Sequence, residues 1–587
     1  MQAIQLRRME ALGDVVKTEA RTLIEGALAE LRRDYPGEDV RTFLDEVVDD
    51  IIEQRLDELA NPAFTERYRV NIVSKHKATD PCPAIVEYAP SVQSLLGTID
   101  RSLDPNDDVF APQMMIRGGS LLRSDGGFLV VEALDLIAEP GAWKALLRTL
   151  RSEQIELVPP SMPVPWQLPA LKPEPIPVNL KIIMIGDARL YYMLDAADTG
   201  FGDYFKVLAD FETTIDRDGG GTGFYAGFLA DLAAHESLPP FHKTAVASLC
   251  EHGSRIAAQD EKLTARFGRL ADLAREAVYL AQKEKRDVVM GDDVVSAIRR
   301  TKARANLPGR RYGEMITKGV IRVHTQGSSV GEVNGLAVMS AGPLTYGFPS
   351  RITATIGAGS AGAIDVERAS NLSGAIHTKG FFILGGLLRT LLPTQHPLTF
   401  SASVAFEQSY GGIDGDSASG AEACCLLSAL TGVPIRQDLA MTGAIDQVGH
   451  VQPIGGVNEK IEGFYDVCKA GGLTGTQGVI IPLTNAGDLM LRQDVVDACD
   501  AGQFAIYAVD TIQEALALFT GMAVGELGEN GEYPEGTLLA RAMEKAHTYW
   551  EMVARTGAFA RKKTSEGGDE AASDEPPSDT IAAPDDD

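Results

Sequence analysis

The chain has 587 residues, enough for three or four domains, and its 44% hydrophobic and 23% charged residues are usual for a soluble globular protein. A net charge of −28 argues against nucleic acid as the main partner, because phosphate binding requires clustered lysine and arginine. The six cysteines are scattered and no run of about 18 apolar residues occurs, so we expect a reduced, cytoplasmic protein without a membrane span.

The first 215 residues divide into a helical segment and a mixed one. Residues 1–60 have apolar positions at spacings of three and four, interrupted by "DYPGED", and this pattern predicts a helical hairpin. In residues 61–215 the stretches "YRVNIVS", "AIVEYA", "GGFLVVEALDLI" and "LKIIMIGDARL" predict strands that alternate with helices. We therefore expect an α/β domain with a largely parallel sheet.

A proline-rich stretch lies inside this α/β segment. Eight prolines occur between Leu157 and Val178, and they predict an extended loop because proline removes backbone donors and fixes φ. The loop also carries Trp166 and several apolar residues. It can fold back on the surface, or it can be a mobile apolar loop that touches substrate, in which case Trp166 is the candidate contact.

The rest of the chain is predicted to contain four further segments. A glycine-rich linker, "DRDGGGTGF", opens a helical subdomain over residues 216–305. Residues 306–525 alternate as strands and helices, the helices being "GFFILGGLLRTLL", "SGAEACCLLSALTG" and "NEKIEGFYDVCKAGG". Residues 526–563 predict a C-terminal helix, and residues 564–587 predict a disordered acidic tail.

One candidate nucleophile lies in "GGIDGDSASGAEACCLLSAL", residues 411–430. Gly415 permits a tight turn before Ser417, and the helix expected from about Ser419 offers free N–H groups that could hold an oxyanion. A serine hydroxyl also needs a base to take its proton. The alternative interpretation is structural, with Asp416 or Ser417 as the N-cap of that helix.

A candidate base is Lys460 in "VQPIGGVNEKIEGFY". Lysine can act as a base when burial lowers its pKa, and apolar residues share a face of the helix expected from about Val457. The alternative is a surface lysine that pairs with Glu459 or Glu462. Spacing alone does not decide between these two interpretations.

The blocks "FEQSYGGIDGDSASGA" and "MTGAIDQVGHVQPIGGVNEKIEG", in this order, resemble the Lon protease family over about residues 320–525. The resemblance implies that Ser417 is the nucleophile and Lys460 the general base of a Ser-Lys dyad. The separation of the two residues, 460 − 417 = 43, is the one this family shows.

The same resemblance implies three supporting residues. Thr442 matches a threonine that helps to orient the lysine, and Asp414 and Glu407 match acidic positions near the dyad. "EVNGLAV" and "ERASNLSGAIHTKGFFILGGLL" look like the archaeal and Lon-like bacterial members of the family.

The upstream half is similar to the AAA+ module of larger Lon-like proteins, but its ATPase motifs are degenerate. The sequence contains no G-x-x-x-x-G-K-[ST] phosphate-binding loop. Where the Walker B strand should end in Asp-Glu, it has Glu132 and Ala133. Asp187 falls where a sensor asparagine often stands, and Arg266 resembles a second sensor or an ordinary surface residue. We therefore expect no cofactor and doubt ATP binding.

The sequence thus predicts a multidomain α/β fold: an AAA+-like α/β domain plus a helical subdomain, followed by an α/β Lon-type proteolytic domain. The predicted activity is a serine endopeptidase that degrades unfolded proteins without ATP hydrolysis and uses no metal. The family resemblance implies a homohexameric ring with internal active sites. Two alternatives stay open: an ATP-dependent protease whose P-loop is on a missing segment, and a protease-inactive holdase or adaptor.

Overall fold

The computed structural model of the chain describes residues 2–58, 64–76, 79–99, 112–157, 173–342 and 344–566, with the backbone alone for residues 2–11, 341 and 556–566. The chain forms two compact units, Met1–Phe211 and Glu212–Asp587. The finer division at residues 60, 215, 305, 525 and 563 stays a prediction. Trp166, in the proline-rich loop, and the tail from residue 567 lie outside the described residues.

The first unit begins with the two predicted helices, α1 (Gln2–Asp34) and α2 (Glu38–Gln54). Gly37 is the N-cap of α2, and its break in the helical pattern separates the two helices. Ion pairs such as Lys17–Glu53 and Arg21–Asp49 join their polar faces. The buried face of α2 contains Leu44, Val48, Ile51 and Ile52.

The centre of the first unit is a parallel three-stranded sheet of β1 (Ala84–Glu87), β4 (Phe128–Glu132) and β7 (Lys181–Ile185), in the order β1-β4-β7. The remaining strands are short: β2 (Gly97–Ile99), β3 (Ile116–Gly118), β5 (Gln154–Ile155) and β6 (Ile176–Pro177). The remaining helices are α3 (Val92–Leu96), α4 (Ser120–Arg123), α5 (Ala133–Ala138), α6 (Ala142–Ser152), α7 (Ala188–Ala197) and α8 (Phe201–Tyr204). Short 3-10 turns cover Leu56–Glu58, Phe64–Tyr68 and Pro112–Met115.

The strand predicted over "YRVNIVS" is wrong, because residues 69–74 form no strand. The side chain of Asn71 donates to the carbonyls of Gln113 and Ile116, and that of Gln113 donates to the carbonyl of Arg69. Side-chain amides therefore take the backbone acceptors that a neighbouring strand would use. The alternation of apolar and polar residues misled the prediction.

The second unit opens with a helical part packed around Tyr225, Leu249 and Leu270. Its helices are α9 (Gly219–Glu236), α10 (Lys243–Ala257), α11 (Phe267–Lys283), α12 (Gly291–Ala305) and α13 (Leu307–Thr317), with an antiparallel pair of β8 (Thr214–Asp216) and β9 (Lys262–Thr264).

The linker predicted over "DRDGGGTGF" is wrong, because α9 begins inside it. The Asp218 side chain accepts a hydrogen bond from the Gly221 N–H and so caps the helix. A Cβ at Gly221 would lie 1.9 Å from the Asp216 carbonyl oxygen, so this glycine allows a close approach of helix and strand.

A mixed seven-stranded sheet forms the rest of the second unit, in the order β13-β14-β12-β11-β16-β19-β20. Its strands are β11 (Glu332–Ala341), β12 (Leu344–Ala358), β13 (Gly362–Asp365), β14 (Phe400–Phe406), β16 (Leu439–Met441), β19 (Gly478–Pro482) and β20 (Ala505–Val509), and the short pairs are formed by β10 (Ser328–Ser329) with β15 (Ile435–Arg436) and by β17 (Ala444–Ile445) with β18 (Val451–Gln452). The helices are α14 (Val366–Ala369), α15 (Ala375–Leu391), α16 (Ser419–Thr431), α17 (Val457–Gly471), α18 (Gln493–Asp500), α19 (Ile512–Thr520) and α20 (Leu538–Glu566), with a 3-10 turn over Leu483–Asn485.

Two helices of this unit pack closely on the sheet beside the candidate residues Ser417 and Lys460. Helix α16 is buried almost all round, as its continuous apolar sequence requires. Helix α17 touches β12 backbone to backbone: a Cβ at Gly463 would lie 2.1 Å from the Gly347 carbonyl oxygen. The two glycines thus hold α17 closer to the sheet than larger residues allow. In the part of the chain that the structure describes, no helix is long and apolar enough to cross a membrane.

Candidate active site

Ser417 lies in a turn two residues before the first residue of α16. Gly415, with φ of +95°, provides the left-handed conformation that this turn needs. The N-cap of α16 is Ala418, which has no side chain that can accept a hydrogen bond. The structural interpretation of Asp416 or Ser417 as the N-cap is therefore wrong, and the Ser417 hydroxyl is available for other contacts.

Lys460 lies in the first turn of α17, and its side chain reaches Ser417. The Lys460 Nζ atom is 2.8 Å from Ser417 Oγ and 3.0 Å from Thr442 Oγ1. The residue is only 2% exposed. The alternative of a surface lysine paired with Glu459 or Glu462 is wrong, because these carboxylates form ion pairs with the guanidinium of Arg255.

Thr442 follows β16 directly and is fully buried. Its Oγ1 donates to the Ser417 carbonyl at 3.2 Å, and its N–H donates to the Ile480 carbonyl. Since the single hydroxyl proton is used in this way, Thr442 Oγ1 can only accept from Lys460. A neutral Lys460 amine that donates to Thr442 keeps its lone pair for the Ser417 hydroxyl.

Burial of the ammonium group lowers the pKa of Lys460 from 10.5 to about 8, and the Asp416 carboxylate acts in the opposite direction. At pH 7 a group with this pKa is neutral in about one tenth of molecules, against about one in 3,000 for an unperturbed lysine. The site therefore contains an amine that can take a proton near neutral pH.

Possible oxyanion donors lie beside Ser417. The backbone N–H groups of Asp416, Ser417 and Ala418 have no hydrogen-bond partner among the described residues. The turn itself is held by the Asp416 carbonyl, which accepts from the N–H and the hydroxyl of Ser419. Consecutive free N–H groups before a helix N-terminus form a concave site that favours negative charge.

An open cleft borders this turn. It is lined by a side chain of α15, by the residue directly before Ser417 and by the β17–β18 hairpin: Ile383, Asp416, Ala444, Ile445, Asp446, Gln447, Gln452 and Pro453. Its mixed apolar and amide lining suits an extended peptide, which needs both side-chain and main-chain contacts.

Asp414 and Glu407, the other predicted site residues that the structure describes, form no hydrogen bond or ion pair with Ser417 or Lys460. The Asp414 carboxylate accepts from the N–H groups of Gly415, Ile376 and His377, and so caps α15. The Glu407 carboxylate accepts from the Thr353 hydroxyl. Asp414 thus connects the serine turn to α15, while Trp166 lies outside the described residues.

One residue that supports Lys460 was not predicted from the sequence. Arg255, on α10, donates to both oxygens of Glu462 at 2.6 and 3.0 Å and also reaches Glu459, so it contacts α17 on either side of Lys460. Glu462 also accepts from Lys302 at 3.3 Å. The partners are about 200 positions apart, and no local pattern in the sequence indicates their contact.

The degenerate ATPase positions have ordinary structural roles. Ala133 opens α5 directly after Glu132, the last residue of β4. The Asp187 side chain caps α7 by accepting from the Leu190 N–H. Arg266 is exposed and is the N-cap residue of α11.

A serine hydroxyl within hydrogen-bond distance of a buried lysine amine is an arrangement suited to a peptidase. Three family models match the chain: "LonB-like, AAA domain" at residues 80–212, "Archaeal LonB, AAA+ ATPase LID domain" at residues 240–304, and "Lon protease (S16) C-terminal proteolytic domain" at residues 410–520. The chain belongs to the Lon protease family. The predicted family, fold class and peptidase class are therefore confirmed.

Relatives agree with this assignment. The chain is 32% identical over 418 residues to a putative Lon protease homolog of Escherichia coli, covering 70% of each chain. It is 33% identical to a putative Lon protease homolog of Haemophilus influenzae, over 71% of this chain and 69% of the relative. An archaeal Lon protease of Thermoplasma volcanium is 25% identical, over 76% of this chain and 66% of the relative.

Proposed function

We propose that this chain is a serine endopeptidase in which Ser417 is the nucleophile and Lys460 the general base. The observation that carries the proposal is the 2.8 Å separation of Lys460 Nζ and Ser417 Oγ at a buried lysine whose pKa is about 8. A buried amine with a lowered pKa, in contact with a hydroxyl, is what a Ser-Lys mechanism requires.

The proposed course has two halves. Neutral Lys460 takes the Ser417 proton while Ser417 Oγ attacks the peptide carbonyl, and the free N–H groups beside Ser417 hold the oxyanion. The Lys460 ammonium then protonates the leaving amine, and the acyl-enzyme forms. A water molecule, deprotonated by Lys460, attacks the ester, and the proton returns to Ser417 Oγ when the acid product leaves.

We propose unfolded proteins as the substrates. What supports this substrate class is that the cleft beside Ser417 is open to solvent, which suits an extended chain. A homohexameric ring and a cytoplasmic location are part of the same proposal. The free state of all six cysteines supports a reducing compartment, and native mass spectrometry tests the ring.

ATP independence is proposed from one missing motif and two positions in the AAA-like domain. The sequence has no lysine-containing phosphate loop, Ala133 stands where the water-activating carboxylate is expected, and the Asp187 carboxylate is used as a helix cap. Without a phosphate nest and its lysine, nucleotide hydrolysis has no evident machinery.

The test is degradation of fluorescently labelled casein by the full chain. Ser417→Ala and Lys460→Met should each abolish cleavage. Ser370→Ala and Lys469→Met are the matched controls. Among the described residues, the Ser370 hydroxyl bonds to carbonyls of α14 alone, and Lys469 is an exposed lysine of α17 paired with Asp494. Activity that survives in Ser417→Ala would remove the dyad from the proposal.

The two alternatives are separate results of the same assay. With ATP and Mg²⁺ we expect the same rate as without them, and a large stimulation would overturn the ATP independence while leaving the dyad in place. A wild-type chain that suppresses aggregation of casein but releases no peptides would instead support the holdase alternative.

A further inference from the structure

Four buried ionisable side chains meet behind the serine turn. They are Asp365 at the end of β13, Glu367 in α14, His377 in α15 and Glu422 in α16, and we call them the acid–imidazole cluster. His377 is 2% and Glu422 1% exposed, and the other two are buried as well. The mechanism proposed above uses none of them.

In Asp365 and in Glu367, one of the two carboxylate oxygens accepts a hydrogen bond from a backbone N–H. Asp365 Oδ1 accepts from the Glu367 N–H, and Glu367 Oε1 accepts from the Phe406 N–H. Their second oxygens, Asp365 Oδ2 and Glu367 Oε2, are buried without a hydrogen-bond partner among the residues that the structure describes. One oxygen is thus fixed by the backbone while the other stays free, as in carboxylates oriented for an ion.

His377 and Glu422 complete the set of unpartnered atoms. Within the described part of the chain, His377 Nε2 and both carboxylate oxygens of Glu422 are buried without a hydrogen-bond partner. His377 Nε2 lies 3.6 Å from Asp365 Oδ2 and 3.8 Å from Glu422 Oε1. All five free atoms therefore belong to one small group of side chains.

The charge of the cluster requires compensation. Three carboxylates and one imidazole leave at least two negative charges when all acids are ionised, and burying uncompensated charge is costly. A dication at the centre would balance them. Protons shared among the carboxylates are the alternative.

The spacing suits an ion. One ligand atom each from Asp365, Glu367 and His377 lie within 4.8 Å of one another. Ligand atoms bound at about 2.1 Å are about 3 to 4.2 Å apart, so small side-chain rotations close the site. Imidazole with carboxylates is a donor set for manganese, iron or zinc, whereas magnesium prefers oxygen alone.

We propose that the acid–imidazole cluster binds one divalent transition-metal ion. Asp365, Glu367 and His377 would hold the ion and join β13, α14 and α15 at one point, while Glu422 of α16 lies 3.8 Å from His377 Nε2. Glu422 lies one turn into α16, directly after the serine turn, and the His377 N–H donates to Asp414 of that turn. The bound ion therefore stabilises the start of α16 and the position of Ser417, without taking part in the chemistry.

The test uses the full chain with Ser417→Ala, so that it does not depend on the proposed peptidase activity. After treatment with a chelator and desalting, we titrate the chain with Mn²⁺ and follow free Mn²⁺ by electron paramagnetic resonance, and separately titrate with Zn²⁺ against a colorimetric indicator. We expect one ion per chain and a higher melting temperature with metal. His377→Gln and Glu422→Gln, which keep the side-chain size, should each weaken binding by about tenfold or more.

The matched control is His235→Gln, an exposed histidine of α9 that should leave binding unchanged. Far-UV circular dichroism shows whether each variant is folded. The shift of the melting temperature with metal is measured on the chain whose four cluster residues are intact, so it does not depend on the folding of a cluster variant. The proposal is overturned if neither ion binds or shifts the melting temperature. It is also overturned if His377→Gln and Glu422→Gln bind as tightly as the parent.

Discussion

The low pKa of Lys460 has a consequence for stability that Lys460→Met exposes. In the unfolded chain this lysine has a pKa near 10.5, and in the fold burial lowers the pKa to about 8. The folded state therefore binds fewer protons than the unfolded state between these two values, and the stability of the protein rises with pH across that window. Below pH 8 the cost of the buried ammonium is fully present.

The magnitude follows from the shift of 10.5 − 8 = 2.5 units. At about 1.36 kcal/mol per unit, the buried amine costs about 3 kcal/mol at pH 7 and about 1.4 kcal/mol at pH 9.5. Methionine has a similar length and does not titrate. The stability of Lys460→Met relative to the wild type should therefore fall by about 2 kcal/mol when the pH is raised from 7 to 9.5.

The measurement is urea unfolding of the wild type and Lys460→Met at pH 7 and pH 9.5. The result is the change between the two pH values in the difference of their free energies of unfolding. This double difference removes the lost hydrogen bonds to Ser417 and Thr442, which affect both pH values alike. Lys469→Met is the control: Asp494 raises the pKa of Lys469, so its variant should show no such fall. A difference that is constant or grows with pH would refute the buried-amine reasoning.

The remaining predictions concern activity and the support of the site. Asp416→Asn removes the charge that raises the pKa of Lys460. The rising limb of kcat/KM against pH, measured with a fluorogenic peptide, should therefore move to lower pH from its midpoint near 8. A move to higher pH contradicts this prediction. Arg255→Met leaves Glu462 buried with fewer partners and should lower the free energy of unfolding in urea by about 3 kcal/mol. The double variant with Glu462→Gln should recover part of this stability. An equal loss of stability in the single and double variants argues against the ion pair. Trp166→Ala should slow casein degradation without changing cleavage of a short peptide, and unchanged casein degradation would remove the predicted substrate contact.

Much of the fold could be predicted from the sequence, and the family resemblance pointed to Ser417 and Lys460 as the candidate pair. Apolar runs bounded by turn residues marked β4, β7, β14 and β19, and the glycine-acid-serine turn before an apolar run marked the start of α16. These features depend on neighbours along the chain, so local patterns report them. The errors arose where a longer-range contact decided the local structure, as in residues 69–74, where side-chain amides replace a strand partner, and at Asp218, which starts a helix among glycines.

Only the tertiary structure decided the chemistry of the site. A separation of 43 residues along the chain does not predict the 2.8 Å contact between Lys460 Nζ and Ser417 Oγ. The pKa of Lys460 is lowered because α17 packs closely against β12 and the lysine amine is buried away from water. Thr442 donates its hydroxyl proton to the Ser417 carbonyl, and this leaves the Lys460 lone pair for the Ser417 hydroxyl. This arrangement also requires that the serine turn, β16 and α17 lie together. The acid–imidazole cluster collects its members from four elements. Desolvation and ligand geometry are properties of a packed interior. They depend on contacts between segments that are far apart along the chain, so a linear sequence pattern does not report them.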